Sequence, residues 1–158
     1  MATYNRTVTG GGTVGHPSNA AVPYVVTSPV WDTADGGTGA DVIQLIDVPA
    51  DTMIVAGCLE VLEAFGNAQV TMDIGFTGGD VDCFVDGTAA AAGFTPFLEA
   101  AVGASGSNCR MLTSADTIDA LLIDAGSTGE SAGRFRIHVV MVDVSVNPVE
   151  SATVSTGT

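Results

Sequence analysis

The sequence predicts a mainly β chain, an antiparallel β-sandwich or jelly-roll-like barrel, and three observations carry that prediction. Hydrophobic residues make up 46% of the chain but aromatics only 6%, so the core weight falls on Val, Ala, Ile and Leu. Glycine occurs 20 times amid many Thr and Asp, a composition that favours short strands and tight turns over helices. Segments of strand character recur at short intervals with turn signals between them, which is the pattern of a sandwich or barrel. A chain of 158 residues suits one domain. Its boundaries are read as a flexible, Gly-rich N-terminal arm over 1–20, a sandwich over 21–146 and a C-terminal tail over 147–158.

The elements follow in order. Residues 41–48 form a strand that Pro49-Ala50-Asp51 turns into the next one, 53–63. That second strand is apolar on both sides, with Met53, Val55, Leu59 and Val61 set against Ile54, Ala56, Cys58 and Leu62. Over 68–76, Ala68, Val70, Met72, Ile74 and Phe76 alternate with Gln69, Thr71, Asp73 and Gly75, a period-two pattern with one buried face. Gly66-Asn67 between these strands predicts a tight hairpin, with Gly supplying the positive φ. A short strand is expected over 81–85, and 87–106 reads as a long loop with at most a short helix, because Gly93 and Pro96 break a longer one. Residues 117–124 form another strand. The longest, 134–146, puts Phe135, Ile137, Val139 and Met141 on one face and Arg134, Arg136 and His138 on the other. Beyond His138 the second face turns apolar at Val140, Val142 and Val144, as expected of a central strand or one covered by another subunit.

Charge excludes several function classes. The net charge is −14, Arg6, Arg110, Arg134 and Arg136 are the only arginines, and there is no lysine. Phosphate backbones and anionic leaflets both need cations, so neither nucleic acid nor a membrane is an expected partner. No stretch approaches the ~20 apolar residues of a membrane span. Residues 1–12 lack the basic and apolar regions of a signal peptide, which implies synthesis in a cytoplasm. Cys58, Cys83 and Cys109 are odd in number and widely spaced, which fits neither a disulfide framework nor a zinc knuckle. Cys58, inside an apolar run, is expected in the core.

Each candidate for chemistry fails on its context. Gly10-x-Gly12-x-x-Gly15 has the letters of a dinucleotide fingerprint, but His16-Pro17 and Pro23 follow where that motif requires a helix. Asp80, Asp82 and Asp86 place three carboxylates in one loop, of the kind calcium takes, yet the spacing departs from an EF-hand. They read as solvated turn aspartates. His138 shares a face with two arginines and is expected to serve a polar face or interface, while His16 sits in the arm, where nothing fixes a catalytic geometry. Glu60, Glu63 and Asp73 fall near the expected hairpin, but sugar sites carry aromatic platforms and Trp31 is the only tryptophan. Asn5-Arg6-Thr7 spells a glycosylation acceptor, of little meaning without a secretory signal. The expectation is therefore no catalytic, cofactor-binding or metal-binding residue, and no enzyme.

Read as one unit, 41–87 contains a strand, a Val48-Pro49-Ala50-Asp51-Thr52 turn, a long apolar strand, a Gly-containing connection, an alternating strand ending at Gly75-Phe76, and the loop from Gly79-Asp80 to Asp86-Gly87. In that order these elements resemble small virion structural proteins of tailed bacteriophages, marine and cyanobacterial phages in particular, and most of all the group that decorates or cements the capsid. The later loop and closing strand, 126–144, fit the same plan. The resemblance implies a non-enzymatic accessory protein, homo-oligomeric and often trimeric, bound to the major capsid protein lattice on the outer surface of the virion. Other virion roles (tail tube, head fibre, tail-associated protein) and a surface calcium- or carbohydrate-binding module remain as alternatives.

Overall fold

The computed structural model describes residues 3–9, 22–32, 41–66, 69–76, 78–89, 91–97, 111–124 and 132–145. Among these there are eleven strands and no helix: β1 (Thr3–Thr9), β2 (Tyr24–Thr27), β3 (Trp31–Asp32), β4 (Val42–Val48), β5 (Thr52–Glu63), β6 (Val70–Phe76), β7 (Val85–Ala89), β8 (Gly93–Pro96), β9 (Met111–Leu112), β10 (Asp116–Asp124) and β11 (Arg134–Asp143). They form two sheets. The first runs β1-β4-β10-β6-β7; the second runs β2-β11-β5-β8, with β3 alongside β11 and β9 alongside β5. The expected all-β sandwich is observed, and every strand pair is antiparallel except β1 with β4.

The period-two patterns explain the core. On β11, Phe135, Ile137, Val139 and Met141 are all buried, as the alternation requires. Ile43, Ile46, Met72, Ile74, Ile118, Ala120 and Leu122 from the first sheet join the same cluster with Ile54, Leu59 and Val61 from the second. Two groups of rings anchor it. Trp31 packs against Phe65 and Phe135, while Phe84 stacks on Phe97 at 4.8 Å between centroids and meets Phe76 edge-on at 5.3 Å.

Several expectations are corrected. The segment 52–63 and the segment 70–76 do not form a hairpin: β5 lies in the second sheet and β6 in the first. The chain passes from one layer to the other between them, and Phe65 shows why. Phe65 turns inward onto Trp31 and Phe135, and the Gly66 amide donates to the Ala132 carbonyl at 3.2 Å, so the chain is pulled over the end of the sandwich. The Pro49-Ala50-Asp51 turn likewise carries β4 of one sheet into β5 of the other. Asp51 takes a left-handed conformation there, φ 57°, which Asp tolerates better than most residues.

The edges also differ. Thr3–Thr9, within the expected flexible arm, pairs in parallel with β4, Thr3 beside Val42 and Thr9 beside Asp47, so an unpaired sheet edge recruits it. The rest of the arm and the tail lie outside the described residues. Within the expected 87–106 loop, Gly93–Pro96 is β8, paired with β5. The expected 81–85 strand starts only at Val85, because 78–84 folds back over β6: the Asp80 carbonyl accepts from the Phe76 amide at 2.9 Å, and the Ile74 carbonyl accepts from the Phe84 amide at 2.9 Å. Gly75 permits that return, since a Cβ there would stand 2.2 Å from the Asp80 carbonyl oxygen.

Candidate assembly surface

Paired residues of an antiparallel sheet point to one side, so the register writes out the outer face of the second sheet row by row. At one end Met111, Met53 and Val142 align, followed by Val25, Val140 and Ala56. Next come Thr27, His138, Cys58 and Pro96. At the other end lie Arg136, Glu60 and Phe94, then Asp32, Arg134 and Glu63. The face is therefore apolar over one half and charged over the other.

A β-bulge decides which apolar residues of β5 face outward. Val140 lies opposite Ala56 and Met141 opposite Ile54, so Val55 is the extra residue. It shifts the parity of β5, turning Ile54 inward together with Leu59 and Val61, while Met53 and Val55 face solvent. The sequence grouped Met53 and Val55 with Leu59 and Val61; the bulge separates them. Cys58 is corrected for the same reason. It lies half-buried on the outer face, opposite His138, whereas Cys83 is the buried thiol among the described residues.

The charged half is a bonded network. Glu60 Oε2 accepts from Arg136 Nε at 2.6 Å and lies 2.9 Å from His138 Nε2, and His138 Nδ1 lies 2.9 Å from Thr27 Oγ1. With Nε2–H donating to the carboxylate, Nδ1 is left to accept from the Thr27 hydroxyl. Arg134 Nε donates to Glu63 Oε2 at 3.0 Å, an exposed pair. The hydrogen bonds from Arg136 and then His138 hold the Glu60 carboxyl below its ordinary range.

His138 thus occupies the polar face, as expected. It is also the cross-strand neighbour of Cys58, the one arrangement here with the letters of a thiol nucleophile and its base. Both ring nitrogens are engaged elsewhere, and burial followed by the Glu60 charge pushes the Cys58 thiol up rather than down. A thiolate nucleophile needs the opposite shift.

The carboxylates read from the sequence fall on separate surfaces. Glu60 and Glu63 pair with arginines on the second sheet, while Asp73 is buried on the first and accepts from the Gly87 amide at 2.6 Å. Burial pushes the Asp73 carboxyl up, and the Asp86 charge adds to that. In the 80–86 loop, a hydrogen bond to Asp80, then burial, raise the Asp82 carboxyl. No group of three or more His, Cys, Asp or Glu side chains among the described residues is arranged to hold a metal ion. His16, Arg6, Arg110 and the 10–15 glycine motif lie where no side chain is described.

The sequence does not single out Val25 or Phe94, the most exposed large apolar side chains among the described residues at 67% and 69%. Tyr24-Val25-Val26-Thr27, four β-formers bracketed by Pro23 and Pro29, was the available signal for Val25. Phe94 sits between two helix breakers, Gly93 and Pro96, which pointed only to a loop.

No family model matches the chain, and no curated protein matches it in sequence. Its fold is similar to that of a chain in the capsid of Ralstonia phage GP4, with a TM-score of 0.56 at 14% identity over 87% of this chain and 97% of that one. A chain of the cyanophage Pam1 capsid asymmetric unit gives 0.54 at 14% identity, over 83% and 93%. A chain of the acidic stable capsid of Helicobacter pylori bacteriophage KHP30 gives 0.52 at 17% identity, over 77% and 88%. At these identities the likeness is one of fold, and the two-sheet sandwich of this chain is a fold also present in three phage capsids.

Proposed function

We propose that this chain is a non-enzymatic virion structural protein that decorates or cements a phage capsid by binding the lattice of the major capsid protein. It is made in the host cytoplasm and acts as a homo-oligomer on the outer surface of the head. The observation that carries this reading is the extent of the fold likeness: 97%, 93% and 88% of three chains from three capsids are covered, so whole subunits correspond rather than a shared fragment. Charge supports the same reading. A chain of net charge −14 without lysine is repelled by packaged DNA and suits the outside of a shell. A structural role also accounts for His138 and Cys58, whose partners and raised thiol pKa favour a stable surface over a reactive one.

Quantitative mass spectrometry of purified particles, with heads separated from tails, tests the assignment. A decoration protein is recovered with the heads at a copy number near that of the major capsid protein. Recovery with tails alone places it among tail-tube, fibre or other tail-associated proteins, and absence from particles removes it from the virion.

A further inference from the structure

The outer face of the second sheet differs from the rest of the molecule in charge. Arg134 and Arg136, the only cationic side chains described, both lie on it, opposed by Asp32, Glu60 and Glu63. Charge therefore nearly cancels on this face, while the remaining described ionisable side chains are overwhelmingly carboxylates and the chain as a whole carries −14. The same face holds most of the exposed large hydrophobics: Val25, Met53, Val55, Leu62, Phe94 and Met111, leaving Val22, Val81 and Ile123 elsewhere.

We propose that this face is the contact between copies of the chain, packing against the same face of a second copy. The proposal deepens the homo-oligomeric part of the reading above and rests on it. Two copies at −14 repel each other wherever carboxylates meet, and on this face two arginines offset most of that repulsion. An acidic, lysine-free surface is what a basic partner would take; a neutral apolar one fits a copy of itself. At ~4.8 Å between strands and ~3.3 Å per residue, β11 and β5 with the shorter β2, β8, β3 and β9 give a flat footprint of roughly 540 Å². Side-chain relief brings the accessible area towards the ~800 Å² per partner of a standard interface. A twofold axis along the strands sets the Met111–Met53 and Val25–Val140 rows on their own counterparts. It sets Phe94, beside the Arg136–Glu60 pair, within the contact and leaves Arg134–Glu63 as a polar rim.

The test measures the mass of the full-length protein by light scattering across micromolar concentrations, for the wild type and for Val25→Asp, Phe94→Asp and Ile123→Asp. Val25 and Phe94 are largely exposed in the subunit, so their variants keep the fold, which circular dichroism verifies. Ile123, exposed on the other sheet, is the control. The wild type is expected to associate, with Val25→Asp and Phe94→Asp weakening association at least about tenfold and Ile123→Asp leaving it unchanged. A monomeric wild type, or equal loss in all three variants, overturns the proposal. Adding the four proteins to undecorated particles separates the two readings. Loss of particle binding by Val25→Asp with a monomeric wild type identifies the face as a lattice contact, which overturns self-association and leaves decoration standing. Association in solution without particle binding by the wild type does the reverse.

Discussion

Phe65 stacks on Trp31 with ring centroids 6.1 Å apart and planes within 9° of parallel. The two residues come from the chain entering β3 and the chain leaving β5, and Phe135 of β11 packs against both. This contact fixes where the chain crosses from the second sheet to the first. Trp31→Ala should destabilise the fold by about 3–5 kcal/mol, the range for emptying a buried aromatic site, measured by urea denaturation. Because Trp31 is the single tryptophan, Phe65→Leu can be followed by its fluorescence. A smaller loss in stability is expected, with a spectrum shifted towards that of solvated indole.

Gly57 lies under the ring of Phe97, and an added Cβ would stand 2.3 Å from it. The His138 carbonyl oxygen would stand only 2.9 Å from the same Cβ, so moving the ring does not by itself clear the space. Gly57→Ala should cost about 1–3 kcal/mol by overpacking. In the Phe97→Leu background the same change should cost measurably less than in the wild type, a coupling that a double-mutant cycle detects.

Glu60 and Asp73 give opposite pH dependences. The folded Glu60 carboxyl titrates below its ordinary value of 4.5. Its contribution is therefore complete above that pH and lost as pH falls through the folded value. Thermal unfolding across the acid range should show that loss in the wild type and a flatter profile in Glu60→Gln.

Burial raises the Asp73 carboxyl above its ordinary value of 3.8. Between the unfolded and folded values the folded state binds more protons, so stability falls as pH rises through that window. Asn at this position keeps an oxygen to accept from Gly87 and carries no charge. Asp73→Asn should thus match or exceed wild-type stability at neutral pH, and lose its advantage in acid.

The sequence made the interior strands legible and the joints much less so. Phe135, Ile137, Val139 and Met141 are buried as their alternation requires, because burial of one face leaves a period-two record. Val70, Met72, Ile74 and Phe76 are buried too, but on β6 the other face is covered as well at Asp73 and Gly75, where 78–84 folds back over it. Gly66-Asn67 misled because a Gly-Asn pair serves a corner between layers as well as a hairpin; what decides is Phe65, whose partners are distant in sequence. The parity of β5 was hidden by the Val55 bulge, since an apolar run on both sides carries no mark of an extra residue. Thr3–Thr9 and Gly93–Pro96 are edge strands with little apolar content, and only the ladder they join reveals them. The outer face of the second sheet was half visible: Arg134, Arg136 and His138 were placed on one side from the start, while Val25 and Phe94 lay in segments not recognised as strands.

The most direct test of the central claim is a cryo-EM reconstruction of the virion head at a resolution that shows side chains. A capsid decoration protein should appear there as this two-sheet sandwich, seated on the outside of the major capsid protein lattice in regular, near-stoichiometric array, its Trp31–Phe65–Phe135 cluster recognisable in the density. A head shell fully accounted for without this chain would contradict it.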